Sequence, residues 1–509
     1  MSDRPASLGA ALWDWVARDG EAVSFVDPWN RSYTRAEFAL RTRGAAQRLR
    51  ELGVAEGDRV LALAENHIGL VVGIFACWHE GAIVAPFDPA HRGPGFLETV
   101  ARVSPAALIV DDAGLAAVEQ LPDRSLPLLR VEELAEAVPS GGREPSWNDP
   151  AALSSLIFSS GTTGTPKACA LSHEYWLWVA EEISAMAGFT SDDRMLTLGP
   201  FHHSSAWSYF GPSILAGTPH AFDRRFSASR FWPRVREVGA TMFDYIGAIL
   251  AILLRTPGEA APSLRLALGS GARVEDWEAW ETRFGVPLVE CYGLTECLIP
   301  IRQTFDVRRP GSMGRLTRLF DARLVDVDLR DVAPGTPGEL LLRPKESRAI
   351  FDGYWGDPDA TAAAFDGAWF RTRDLIRVDG DGWYWFVDRL GQVIRRRGEN
   401  VSAWELEGAL LHHPAIRLCA AIGVPSELGE EDILVAVELE PGTALEPDDF
   451  RAWAAESLPR HMVPRYVRIV DTLPRTASER IARQAIRAAG VTGDTADLDR
   501  PRARRPLNA

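Results

Sequence analysis

The pattern of apolar and polar positions along the chain alternates between helical and extended stretches. Residues 34–53 read as a helix, with Thr34 and Glu37 spaced as a capping box and Gly53 just past the end. GDRVLALAEN (57–66) then reads as a strand, GLVVGIFACWHEG as a buried helix and AIVAPFDP as a second strand. Strand, helix and strand in that order form a βαβ unit and predict parallel sheet. The rhythm returns at ALIVDD (107–112), LSSLIFSS (153–160), RMLTLGP (194–200), LRLALGSG (264–271) and VPLVECYG (286–293). A large multi-layer α/β domain with parallel-rich sheets is expected.

Past about Gly311 the texture changes to short strands divided by glycine and aspartate turns: DARLVDVDLR, GELLLRP, GAWFRTRD and GWYWFVDRL. Antiparallel pairing, in a small barrel-like part, is expected there. From Gly391 to about Gly490 follows a smaller α+β segment, whose helix near 404–412 opens on Ser402 and Glu405 as a second capping box. Residues 491–509 carry no apolar periodicity and read as a disordered tail.

A chain of 509 residues is too long for a single core, and 46% hydrophobic with 25% charged residues is the composition of an ordinary globular protein. The net charge of −15 argues against a nucleic-acid partner. Five scattered cysteines without CxxC spacing argue against a disulfide framework or a zinc site and fit a reducing cytosol. No stretch reads as a signal peptide or a membrane span. Lysine occurs only at 167 and 345 among 55 basic residues, a bias that fits a GC-rich genome. A surviving lysine is therefore informative, and a missing one can be too.

Lys167 closes the run Ser159, Ser160, Gly161, Thr162, Thr163, Gly164, Thr165, Pro166 directly after an apolar strand. Glycines let backbone N–H groups approach an anion, hydroxyls add donors and the lysine adds a point charge, which is the physics of a phosphate cradle. The run does not fit GxxxxGK[ST], because Ala168 follows Lys167.

SSGTTGTPK resembles the phosphate-binding signature of the ANL superfamily, which comprises acyl-CoA ligases, peptide-synthetase adenylation domains and luciferases. Further segments resemble that family in order and spacing over roughly residues 20–485. Gly269, Ser270, Gly271 and Ala272 resemble its adenine-binding strand end. The stretch Glu290, Cys291, Tyr292, Gly293, Leu294, Thr295, Glu296 resembles its YGxTE motif, which implies that Thr295 contacts phosphate and Glu296 holds Mg²⁺. Asp374, in Thr372-Arg373-Asp374, stands where the family's TGD chelates the ribose, and Arg389 belongs to the same nucleotide-binding set. The resemblance places a hinge at 388–391, between an N-terminal nucleotide- and acyl-binding domain (1–387) and a mobile C-terminal domain (392–490). Arg397, Gly398, Glu399 and Asn400 resemble the loop lining the tunnel for CoA. The C-terminal wording resembles acyl-CoA ligases in the branch with carnitine- and diterpenoid-acid ligases. His203 aligns with a family histidine at the acyl pocket, and Trp207, Phe243, Tyr245, Ile246 and Gly269 are further candidates for its lining. Dimers are common among such enzymes.

Three positions depart from the family. Its last motif, P-x-T-x-x-G-K, supplies the lysine that bridges the incoming carboxylate and the α-phosphate during adenylation. Here the stretch is Pro474-Arg475-Thr476-Ala477-Ser478-Glu479-Arg480, and no lysine follows Lys345 at all. A planar, forked guanidinium does not place charge where a compact ammonium does. Arg373 replaces the glycine of TGD, and Gly391 stands at the hinge where the family has Asp or Lys. The residues needed to bind the AMP moiety and CoA are retained. The sequence therefore points to an acyl-CoA ligase that takes an acyl-adenylate, supplied by a separate adenylating enzyme in a specialised biosynthetic pathway, with its own adenylation step weakened or lost. The alternatives are an ordinary two-step ATP-dependent ligase in which Arg480 substitutes, and a non-catalytic adenylate-binding protein.

Overall fold

The computed structural model describes residues 4–499 apart from 93, 122–124, 142, 160–165, 391–393, 397, 398, 427–430 and 476–480. The chain forms two units, one comprising 1–322, 341–371 and 380–385 and the other 323–340, 372–379 and 386–509. The second unit is thus wider than a cut at residue 387 would make it.

In the first unit the βαβ reading holds. Arg59–Leu63 and Ile83–Phe87 pair in parallel, and every residue of the connecting helix Ile68–His79 is buried. A helix apolar on all sides can only sit inside, which explains the absence of a polar face between 68 and 78. These strands belong to a six-stranded sheet ordered Leu128–Arg130, Ala107–Val110, Arg59–Leu63, Ile83–Phe87, Leu153–Ser159, Lys167–Ser172. Only the last pair is antiparallel among the pairings within it. The helix Arg35–Glu51 carries half of the expected capping box: Thr34 Oγ1 accepts the Glu37 N–H at 3.1 Å, while the Glu37 carboxylate turns outward to Arg31 and Arg41.

A second, nine-stranded sheet runs Arg315–Leu316, Cys297–Arg302, Leu288–Leu294, Leu266–Ser270, Met242–Ile246, Met195–Thr197, His220–Phe222, Val23–Val26, Ser32–Thr34. Its central strands are parallel and end at Gly269, Ser270 and Leu294. The strand Cys297–Arg302 turns straight back antiparallel on Leu288–Leu294, a reversal that the sequence reading did not anticipate. Short strands after Gly311 form a five-stranded sheet, as expected from their texture.

The second unit contains a four-stranded sheet of Ile416–Pro425, Glu431–Leu439, Tyr466–Val470 and Ala496–Asp497. Helix Ala403–Leu410 packs on the strand Ile416–Pro425, and Leu406 and Leu410 share a buried core with Ile416, Cys419 and Ala421. The first helical N–H, that of Ala403, is taken at 2.8 Å by Asp388 Oδ2, while Ser402 Oγ donates to the Val387 carbonyl. A residue outside the local sequence window therefore takes part in the cap, and the Glu405 side chain lies outside the described residues.

The expected tail is overturned over 491–499. Ala496–Asp497 pairs antiparallel with Tyr466 and Val467, and Leu498 is buried in the core of this unit. One buried leucine and a two-residue strand suffice to dock a segment with no periodicity of its own. Residues 500–509 lie outside the described residues.

Candidate nucleotide and acyl site

Lys167 opens its strand opposite Ser159, whose Oγ donates to the Lys167 carbonyl at 3.5 Å. The six cradle residues between them, Ser160, Gly161, Thr162, Thr163, Gly164 and Thr165, lie outside the described residues. The Lys167 ammonium stands 4.9 Å from the centre of the Tyr354 ring, a cation–π contact that fixes it near the strand end. The Tyr354 hydroxyl in turn donates at 2.8 Å to Glu296 Oε1. Burial and the Glu296 charge raise the Tyr354 phenol far above its ordinary value, so it remains a neutral donor.

Thr295 and Glu296 form the two-residue turn of the hairpin closed by the Leu294–Cys297 pair. Tyr175 holds both flanks of this turn, donating to the Thr295 carbonyl at 2.9 Å and accepting the Leu298 N–H at 2.8 Å. Ile299, the next residue after Leu298, has φ 56°, a left-handed conformation that a β-branched residue adopts only under tertiary constraint. Thr295 Oγ1 lies 3.2 Å from Ser204 Oγ, in the first turn of helix Ser204–Ala216. That helix has no side-chain cap from His203, so its N-terminal amides lie beside two hydroxyls, an arrangement suited to a phosphate oxygen.

At the strand ends, Gly271 has φ 76°, and a Cβ on Gly247 would stand 1.9 Å from the Gly271 carbonyl. The close approach of these two backbones makes glycine necessary there. Glu290 is buried, accepting the Ala272 N–H at 2.6 Å and the Tyr245 hydroxyl at 3.3 Å. Desolvation pushes its carboxyl up to about 8, so it is neutral at pH 7. Asp244, also buried, accepts the amides of Leu198 and Gly199 at 2.5 and 3.3 Å, and desolvation pushes it up to about 6. With Asn66, whose Oδ1 accepts the Phe201 N–H at 2.7 Å, it grips the turn leading to His202 and His203.

Several acyl-pocket candidates pack as core. Phe243 is fully buried, with ring centres 4.8 Å from Phe231 and 5.7 Å from Trp280, both on neighbouring helices. Trp207 is buried against Trp176 at 5.0 Å and donates from its indole to the Phe201 carbonyl. Tyr245 is buried on Glu290. Strand alternation explains the split, because residues 243 and 245 face the helices whereas Ile246, at the strand end, is 53% exposed. Cys291 and Tyr292 are buried in the same strand as Glu290, whereas Gly293 is exposed at its end.

In the second unit, Asp374 is buried and accepts Arg389 Nε at 2.9 Å, joining two of the residues read as nucleotide-binding. Asp388 accepts the amides of Arg389 and Ala403, and burial raises its carboxyl above the usual carboxylate value. Glu407, likewise raised by burial, accepts Arg483 Nε at 3.0 Å and the Ala421 N–H at 2.7 Å. Glu399 and Asn400 lie in the strand Glu399–Val401, with Arg396 opposite Glu399 and Arg395 opposite Asn400. Gly391, Arg397, Gly398, Glu479 and Arg480 lie outside the described residues.

Arg373 has φ 62°, the conformation natural to the glycine of TGD, and its guanidinium lies 3.8 Å from Glu339. Left-handed backbone costs a residue with a Cβ roughly 1–2 kcal/mol, part of which glycine returns as unfolded-state entropy. Arg373→Gly is accordingly expected to stabilise the protein by about 0.5–1 kcal/mol, read as a higher denaturant midpoint with unchanged slope. A lower midpoint would mean that the Glu339 contact outweighs the backbone strain.

Sequence reasoning missed Tyr354, Tyr175, Asn66 and Asp244. Tyr354 left one usable sign, an aromatic pair between glycines in Gly353-Tyr354-Trp355-Gly356. The others become visible only through contacts between segments distant in sequence.

Parallel strands ending at a Gly-rich turn, a buried neutral acid beside the Gly269–Ala272 segment and a Thr-Glu hairpin tip beside a lysine define a nucleotide-binding α/β protein. The AMP-binding enzyme family model matches residues 12–355 and that of its C-terminal domain matches 405–480, so the chain belongs to the AMP-binding enzyme family. A feruloyl-CoA synthase from Amycolatopsis is 30% identical over 463 residues, covering 89% of this chain and 93% of that protein. The indoleacetate–CoA ligase of Aromatoleum aromaticum is 29% identical over 507 residues, covering 94% and 97% respectively. The structure of o-succinylbenzoate-CoA synthetase from Bacillus subtilis, in complex with its acyl-adenylate, superposes with a TM-score of 0.85 at 22% identity, covering 96% of this chain and 98% of that one. Among the described residues no helix is long and apolar enough to cross a membrane.

Proposed function

We propose that this protein is an acyl-CoA ligase that makes an acyl-CoA from an acyl-adenylate and CoA, with its own adenylation of the free acid weakened or lost. The relatives' acyl-CoA ligase activities support the reaction class. The observation that carries the finer reading is the absence of any lysine after Lys345, with Arg480 at the position of the adenylating lysine.

In this reading the hydroxyl of Thr295, beside Ser204 and the open helix end, takes a phosphate oxygen of the AMP moiety. Lys167 supplies a cation held in place by Tyr354, and Asp374 orients the ribose with Arg389. Glu296 suits Mg²⁺: it is a buried carboxylate whose side-chain partners, the Tyr354 hydroxyl and the Cys169 thiol, are both neutral. Among the described residues no cluster of three potential ligands exists, so phosphate and water oxygens would complete the shell. The ion, when bound, offsets phosphate charge. Thioesterification bonds the CoA sulfur to the acyl carbon and breaks the carbon–oxygen bond to phosphate. AMP leaves with the electron pair, and the thiol proton passes to solvent. A pre-made adenylate is already activated, so this half-reaction has no use for the missing lysine. The upstream partner is then an enzyme that converts a carboxylic acid and ATP to acyl-AMP and pyrophosphate.

The relatives favour a second reading, a conventional two-step ligase with Arg480 in the lysine's role. One assay separates the two: purified protein with CoA and Mg²⁺ receives either acid plus ATP or the matching synthetic acyl-adenylate, and acyl-CoA is followed by mass spectrometry. The adenylate is expected to react at least about 10²-fold faster, from the cost of losing one preorganised donor at a developing charge. Comparable rates would establish the conventional ligase, and AMP-site binding without acyl-CoA from either would establish a non-catalytic protein.

A further inference from the structure

A cavity of about 440 Å³ opens at the edge of the nine-stranded sheet; no residue assigned above to nucleotide, acyl group or CoA lines it, although its Arg302 pairs with Cys291 and its Gln303 with the Glu290 carbonyl. Its walls are the helix His173–Ala187, the end of Cys297–Arg302, the edge strand Arg315–Leu316 and Trp383. The volume lies within the range of small-ligand pockets.

The charges around it do not cancel. Glu182 is buried and takes Arg302 Nε at 2.7 Å, with Arg318 Nε at 3.7 Å from its other oxygen. Glu181 is shared between Arg4 at 2.7 Å and Arg318 at 3.3 Å. Both carboxylates are thus neutralised by arginines other than Arg315. Arg315 is exposed and stacks 4.9 Å from the centre of the Trp383 ring. Among the described residues it forms no ion pair. Stacking fixes the guanidinium plane while leaving its N–H fork available for a bidentate oxyanion. Thr317 borders the same cavity, with its hydroxyl buried out of reach of the open space. A locally cationic cavity in a chain of net charge −15 is itself a departure from the rest of the surface.

We propose that this cavity is a second anion-binding site, taking a small phosphorylated or polycarboxylate molecule no larger than a mononucleotide through Arg315, with Arg302 beside it. The proposal stands apart from the thioesterification reading and from the Lys167 cradle.

Isothermal titration of the full chain with inorganic pyrophosphate, without Mg²⁺ and at low ionic strength, tests it, with citrate as the carboxylate arm. Binding is expected to weaken at least tenfold in Arg315→Glu, while persisting in Lys167→Ala. It should also fall as salt is raised. Because Arg315 is exposed, its variant should unfold at the parent's midpoint, which the same preparations can confirm. Binding of pyrophosphate alone identifies a phosphate ligand, and binding of citrate alone identifies a carboxylate. Titrations unchanged by Arg315→Glu, or no binding of either anion by the parent protein, overturn the proposal.

Discussion

Arg480→Lys is expected to raise acyl-CoA formation from acid plus ATP by about 10²–10³, while leaving the rate from preformed acyl-adenylate within about twofold. The asymmetry follows from where charge develops. As the carboxylate approaches the α-phosphate, two anionic groups must share one compact cation, and a preorganised donor there contributes about 3–4 kcal/mol. A guanidinium can satisfy one partner in a planar fork but cannot occupy the point that an ammonium does. Attack of a thiol on the adenylate places charge first at the acyl carbonyl and then on the departing phosphate oxygen, with no free carboxylate to be held against the phosphate, so the substitution should leave that step nearly unchanged. Pyrophosphate release measures the first step and thiol consumption the second. No gain with lysine would remove Arg480 from the account and shift attention to Glu479.

The second large effect concerns stability. Glu290 is held neutral in the folded chain up to about pH 8 by burial, whereas in the unfolded chain it ionises near 4.5. Between these values the folded state binds more protons than the unfolded state, so stability falls as pH rises through this window. At about 1.4 kcal/mol per pH unit the loss reaches ~4–5 kcal/mol by pH 8. Asp244, raised to about 6 from 3.8, adds a decline at the acid end of the range. Glu290→Gln keeps an acceptor for Ala272 and Tyr245 without an ionisable proton. The variant is expected to match the parent near pH 4.5 and to exceed it increasingly up to pH 8, seen in denaturant midpoints across that range. Parallel pH profiles for the two proteins would show that Glu290 is not the titrating group.

Much of the first unit was legible because its signals are local. A Thr-x-x-Glu start, a glycine stop and unbroken apolar runs located Arg35–Glu51, Ile68–His79 and the parallel strands within about three residues. Glu296 and Lys167 were found from motif resemblance, and the structure joins them through Tyr354. What stayed hidden depends on encounters between segments far apart in the chain. Asp388 supplies a cap that Ser402 and Glu405 were read to provide, and Leu498 docks a segment with no pattern. Phe243 and Trp207 were read as pocket lining because aromatic residues suit either role. Which face of a strand meets a helix is decided by the packing of the whole sheet, and for Phe243 it meets Phe231 and Trp280.

The grip of Tyr175 on both sides of the Thr295–Glu296 turn has a consequence for how the protein matures. The turn spans only two residues, yet its clamp comes from a helix more than a hundred residues earlier, so the hairpin cannot acquire its final shape as a local event during synthesis. A nascent chain that has completed the six-stranded sheet and helix His173–Ala187 still presents an unsatisfied phenol until Leu288–Arg302 arrives. Affinity for phosphate should therefore emerge late and abruptly, making nucleotide capture a report that this part of the chain has finished folding.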